Sequence, residues 1–134
     1  MKKKLSILTA LMLVIIMTVS TALADFNCPL SDFYAGGRLF KVTATIATNK
    51  KTAFAKTSGG TGTYDTVNAT YYWLDMINDQ VGHSSETKSA DVEIRSDAIS
   101  LSGTNKIYYK IISNHYGNYS GSNGSSTNVM TLIY

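Results

Sequence analysis

Proline, cysteine, histidine and tryptophan are all scarce in this 134-residue chain, which has one Pro, one Cys, two His and one Trp. Each scarcity excludes something. A lone cysteine, Cys28, forms no intrachain disulfide, so no disulfide framework holds the fold. Cys28 is then a buried thiol, a reactive thiol or the bridge of a homodimer. Two isolated histidines, His83 and His115, without a cysteine cluster, offer no zinc-ligand spacing. With Pro29 the only proline, chain reversals must rely on Gly, Asn and Ser. After residue 24 no apolar run reaches about 18 residues, so no integral membrane segment is expected there.

Net charge is scarce too, once its source is located. Lys2, Lys3 and Lys4 precede an apolar run from Leu5 to Val19, and Ala22-Leu23-Ala24 closes it. A charged start, an apolar middle and a small-residue exit predict a cleaved secretory signal peptide over residues 1–24. These three lysines account for the whole formal charge of +3, leaving residues 25–134 neutral. Neutrality argues against a nucleic-acid partner and against an acidic solvating tail. Asp25-Phe26-Asn27 before Cys28 lacks the small residues of a lipid-anchoring signal, so the protein is expected to be secreted and extracellular. The remaining 110 residues suit a single domain, 25–134.

What the chain does have is alternation. Phe40, Val42, Ala44 and Ile46 share one face; Val67, Ala69, Tyr71 and Trp73 form a second; Ala90, Val92 and Ile94 a third; Ile107, Tyr109 and Ile111 a fourth. A period of two is the mark of a half-buried strand, and no segment after residue 24 sustains a helical period. Between Trp73 and Val81 there is room for one short turn at most. About seven strands are predicted, at 39–48, 51–58, 63–75, 88–96, 98–102, 106–115 and 128–134. The fold class is therefore all-β, an antiparallel β-sandwich of immunoglobulin-like or jelly-roll-like style, with a small barrel as the alternative. A transmembrane barrel is rejected, because eight spanning strands of about 9–11 residues do not fit in 110 residues.

Catalytic and metal-binding motifs are thin. Asp75, Asn78, Asp79 and His83 lie close together but lack the spacing of a calcium loop, and a polar strand connection is expected. Ser113 and His115 share a strand face without a nucleophile elbow or an assigned acidic partner. Asp91, Glu93 and Arg95 are expected as one solvated charge row. Gly59-Gly60-Thr61-Gly62 lacks the lysine of a phosphate loop. Lys50, Lys51 and Lys56 with Phe54 form a basic cluster too small for useful phosphate binding. No enzyme activity, cofactor or metal is expected.

Tyrosine is the one abundant specialist, at nine residues. Tyr71 and Trp73 are assigned to the core. Tyr72 and Tyr108 fall opposite the apolar faces of their strands and are expected to be exposed. Tyr116 and Tyr119 flank the run YGNYSGSNGSSTN at 116–128, whose Tyr, Ser, Gly and Asn content is that of adaptable binding loops. The candidate binding residues are thus Tyr116, Tyr119, Tyr72 and Tyr108. Asn68, Asn118 and Asn123 match the N-glycosylation pattern, which matters only in a eukaryote, and the signal is of bacterial style.

The Lys-rich signal, Ala69-Thr70-Tyr71-Tyr72-Trp73, Lys88-Ser89-Ala90-Asp91-Val92-Glu93-Ile94 and Ser113-Asn114-His115-Tyr116-Gly117 together resemble small secreted β-sandwich proteins of Gram-positive bacteria, in the style of lactococcin 972-like bacteriocins. The resemblance implies export and a sandwich, and it transfers no residue roles. The expected function is surface recognition of an extracellular protein or glycan partner at a cell surface. The alternative is a bacteriocin-like antagonist of related bacteria.

Overall fold

The computed structural model describes residues 25–28, 31–103 and 105–132, and the expected signal peptide at 1–24 lies outside them. Nine strands follow in order: β1 (Phe26–Asn27), β2 (Phe33–Ala35), β3 (Arg38–Ile46), β4 (Ala53–Ser58), β5 (Thr63–Asp75), β6 (Gln80–Asp91), β7 (Glu93–Asp97), β8 (Lys106–Tyr119) and β9 (Ser122–Thr131). They make two antiparallel sheets packed face to face. In the first, β1 and β2 share one edge of β3, followed by β4 and β7; the second runs β6-β5-β8-β9. Both sheets are open, so the fold is a sandwich and not a barrel.

The alternation places the core as expected. Phe40, Val42, Ala44 and Ile46 of β3 and Val67, Ala69 and Tyr71 of β5 all point into the space between the sheets, and each is at most 2% exposed. With Ala44, Ile46, Val67, Ala69 and Tyr71, the main cluster holds Ala53 and Ala55 of β4, Tyr108 and Ile111 of β8 and Met130 of β9. Its small side chains let the sheets approach closely, while Tyr71 spans the gap and donates its hydroxyl to Ser96 O on β7 at 2.8 Å. Burial pushes the Tyr71 pKa up to about 12. A second cluster at one end holds Phe33, Ala35, Phe40 and Val42, with the Phe33 and Phe40 rings stacked at 4.9 Å.

Several expectations are corrected. Residues 98–102 form no strand, whereas β1, β2 and most of β6 were not anticipated. The predicted strand 88–96 is two strands broken at Val92, whose φ of 72° turns the chain from one sheet into the other. Val92 is therefore exposed and not part of an apolar face. The break also splits the expected charge row: Asp91 pairs with Tyr64 in one sheet, while Glu93 pairs with Ser58 in the other. Glu93 there binds Lys56 at 3.2 Å, and Arg95 binds Asp97 at 2.6 Å while lying 3.8 Å from the centre of the Phe54 ring.

The Gly/Ser-rich run is not a loose connection. It forms the end of β8, a two-residue turn at Ser120-Gly121 and the start of β9. Both turn residues have positive φ, 51° and 79°, the geometry whose twist matches a right-twisted hairpin. Small residues are required elsewhere in the run by close approach. A side chain at Gly117 would overlap the Phe40 ring, and one at Gly124 would meet the carbonyl of Tyr34 at 2.5 Å and the Phe33 ring at 2.8 Å.

The exposed edge strand β6 is guarded by charge. Glu86 and Lys88 stand on its inward side, paired with each other at 3.1 Å. Inward-pointing charges of this kind discourage edge-to-edge association. Burial raises the Glu86 pKa, but bonds from Lys88, Ser96 and the backbone N–H of Asp97 outweigh it and hold the carboxyl below its usual range.

Candidate functional site

The two outer faces of the sandwich differ in chemistry. On the β3 sheet, Lys41, Lys56, Glu93, Arg95 and Asp97 are set among Phe54 and hydroxyls. On the β5 sheet, the register aligns Ser89-Thr66-Tyr116-Ser125, Thr87-Asn68-Asn114-Thr127 and Ser85-Thr70-Ile112-Val129 in three successive cross-strand rows. These twelve side chains carry no charge. Charge appears only beyond them, at Asp91 on one end and Lys110 on the other.

Cross-strand hydrogen bonds order this face. Thr66 and Ser89 share one at 2.7 Å, Thr70 and Ser85 another at 2.8 Å. Asn68 Nδ2 donates to Thr87 Oγ1 at 2.6 Å, and Thr127 Oγ1 donates to Asn114 Oδ1 at 2.8 Å. Such pairs hold side chains in single rotamers across a sheet.

At the Asp91 end the face opens into a depression of about 170 Å³. Tyr64 and Tyr116 flank it, 53% and 49% exposed. Thr66, Asn118 and Asn123 contribute polar groups, and the bare backbones of Gly117 and Gly124 complete the lining. Asn118 and Asn123 face each other across β8 and β9, with Asn118 Nδ2 donating to Asn123 Oδ1 at 2.7 Å. That bond uses one amide donor and one carbonyl, leaving the carbonyl of Asn118 and the amino group of Asn123 for another partner.

The expected binding residues do not converge. Tyr116, expected at the start of a loop, lies within β8, half exposed on the outer face. Tyr119, three positions on, points to the inner side, where it packs on the Phe33/Phe40 cluster with Arg38 5.1 Å from its ring centre. Tyr72 is on the outer face but eight residues along β5 from Tyr64, about 27 Å at ~3.4 Å per residue. There it stacks obliquely on His83, ring centres 5.6 Å apart, beside Lys110. Tyr108 is a correction: it is fully buried, donates its hydroxyl to Ile99 O at 2.5 Å and meets Tyr71 edge-on. The cause is a β-bulge. Tyr72 pairs with Lys110 but Trp73 pairs with Tyr108, so Tyr109 is an extra residue that reverses the parity of β8 below it. Tyr64 was missed, although stepping back by two from Thr66 along the outer face of β5 reaches it.

Ser113 and His115 do meet. His115 Nε2 lies 2.9 Å from Ser113 Oγ, and Nδ1 lies 2.8 Å from Thr57 Oγ1 on the opposing sheet. The Thr57 hydroxyl donates to Thr66 O at 3.1 Å, so it accepts from Nδ1–H, and Nε2 is left to accept from Ser113. All three residues are wholly buried, and burial pushes the His115 pKa down to about 4. The trio is closed to solvent, and its geometry is that of a satisfied polar seam between sheets.

The remaining polar candidates serve the fold. Asp75 accepts the backbone N–H groups of Ile77 and Asn78 at 3.0 and 3.2 Å and the Asn78 amide at 3.0 Å, which caps the β5–β6 turn. These bonds, the Asn78 amide first, hold its carboxyl below the usual range. Lys51 binds the carbonyls of Gly103 and Lys106. Cys28 is half-buried beside the main core, and burial raises its pKa. Among the described residues, no three His, Cys, Asp or Glu side chains gather as metal ligands would. No protein-family profile, curated protein or solved structure matches the chain.

Proposed function

We propose that the protein is a secreted, non-catalytic recognition module that binds a partner at a cell surface through the outer face of the β6-β5-β8-β9 sheet. The observation that carries this reading is the asymmetry of the two outer faces. The β3 sheet carries the mixed charges of an ordinary solvated face, whereas the β5 sheet sets three uncharged rows beside two half-exposed tyrosines. Aromatic area next to hydrogen-bonding amides and hydroxyls is the usual make-up of contact surfaces. Burial of the Ser113–His115 pair favours binding over hydrolysis, since no substrate reaches it without opening the sheets.

Binding of fluorescently labelled protein to whole bacterial cells tests the reading. Tyr64→Ala and Tyr116→Ala should each remove most of the bound signal, while Lys56→Ala and Glu93→Ala on the opposite face should leave it intact. Equal loss from both faces, or from neither, would count against it. The same purified protein should leave lawns of related Gram-positive bacteria uncleared; a zone of clearing would favour the antagonist.

A further inference from the structure

The chemistry of the depression narrows the ligand class, on the footing that the β5-sheet face is the recognition surface. We infer that it is a subsite for an uncharged pyranose unit of an extracellular glycan. None of its seven lining residues carries a charge. A phosphate, a sulfate or a uronic acid would be left without a cation, and a basic peptide without a carboxylate. Asp91, the nearest charge along the row, stands beyond Tyr64 and outside the lining.

The polar groups on offer are mixed in sign. One carbonyl oxygen and one amino group remain on the bonded Asn118–Asn123 pair, next to the Thr66 hydroxyl. An anion needs donors only. Two neighbouring sugar hydroxyls each donate and accept, so they match one acceptor set beside one donor. Exchanging oxygen and nitrogen in both amides preserves this, because the bond between them still uses one of each.

The apolar component fits the same ligand. A pyranose ring presents a face of axial C–H groups that lies against the negative face of an aromatic ring. Tyr64 and Tyr116 supply two such rings on adjacent strands, one row apart, and each residue is about half exposed. The depression has room for about one ring, so affinity for a monosaccharide should be weak. A longer chain gains contacts by lying along the uncharged rows, over Asn68, Asn114 and Thr127.

Isothermal titration with N-acetylglucosamine tetramer, cellotetraose, mannotetraose and tetragalacturonate tests the inference on the full exported chain. At least one neutral tetramer should bind, more tightly than its own monomer, and the uronate should not. Tyr64→Ala, Tyr116→Ala and Asn118→Ala should each weaken that binding tenfold or more with thermal unfolding unchanged, and Asn118→Asp should weaken it further. Binding of the uronate alone, or of no sugar while labelling of cells still depends on Tyr64 and Tyr116, would overturn the ligand class and keep the recognition face. Sugar binding indifferent to all three residues would overturn both.

Discussion

Thr57 on β4 and His115 on β8 join the two sheets through a buried 2.8 Å hydrogen bond. The imidazole is neutral there, with its folded pKa near 4 against the ordinary 6.5. A depressed histidine pKa means that the unfolded chain binds the proton more readily. Its contribution is therefore complete above pH 6.5 and is lost as pH falls toward 4, by up to about 3 kcal/mol in all. Denaturant unfolding at pH 7.5 and pH 4.5 should show this loss. In His115→Gln the difference should shrink, because no imidazole remains to titrate. Asp65, buried with its Oδ2 accepting the Gly59 N–H at 2.7 Å and its pKa raised by burial, acts in the opposite sense at lower pH.

Gly117 faces the ring of Phe40 with no room for a methyl group. Gly117→Ala should destabilise the protein by about 1–3 kcal/mol, the usual cost of overpacking. In a Phe40→Leu background the added penalty of the alanine should fall, since the smaller side chain vacates the space. A double-mutant cycle read from chemical denaturation measures this coupling. Additive effects would mean that the two positions do not share the strain.

Val92 has a φ of 72° while nearly half its surface is exposed. A β-branched residue in that region is strained, and glycine is not. Val92→Gly should raise stability by about 0.5–1 kcal/mol after allowing for the extra freedom glycine has when unfolded. Thermal melts would detect it. A drop in stability would show that the valine side chain contributes more than its exposure suggests.

Cys28 should react with a disulfide reagent more slowly in the folded protein than in urea, because burial raises its thiol pKa and the thiolate is the attacking form. The time course of thiol labelling in native and denaturing buffer checks this. Equal rates would place the sulfur in open solvent and revive the bridged homodimer.

Much of the sandwich was legible from period-two alternation, because burial of one face is written directly into every second residue. The apolar faces of 40–46 and 67–73 are where the pattern puts them. Three things escaped it. The bulge at Tyr109 adds one residue, invisible in composition, and turned Tyr108 inward. The corner at Val92 depends on a backbone angle that valine seldom adopts, so a continuous strand was the natural expectation. The run 116–128 reads as an adaptable binding loop because Tyr, Ser, Gly and Asn make up such loops; here it is a hairpin, and Gly117 and Gly124 are small because Phe40 and β2 press against the backbone. Of the two tyrosines that flank the depression, Tyr116 was named from the sequence and Tyr64 was one alternation step away. The pairing of Asn118 with Asn123 needed the turn at Ser120-Gly121, which sets the register.

The corner at Val92 also decides how the molecule can be divided. One nearly continuous stretch, β6 into β7, closes the edge of one sheet and then the edge of the other. A cut between Asp91 and Glu93 leaves neither fragment with a finished sheet, since β8 and β9 stay behind with β7 while their partner β5 departs with β6. The outer face of the β6-β5-β8-β9 sheet therefore cannot be carried on an excised piece; it exists only as part of the whole domain.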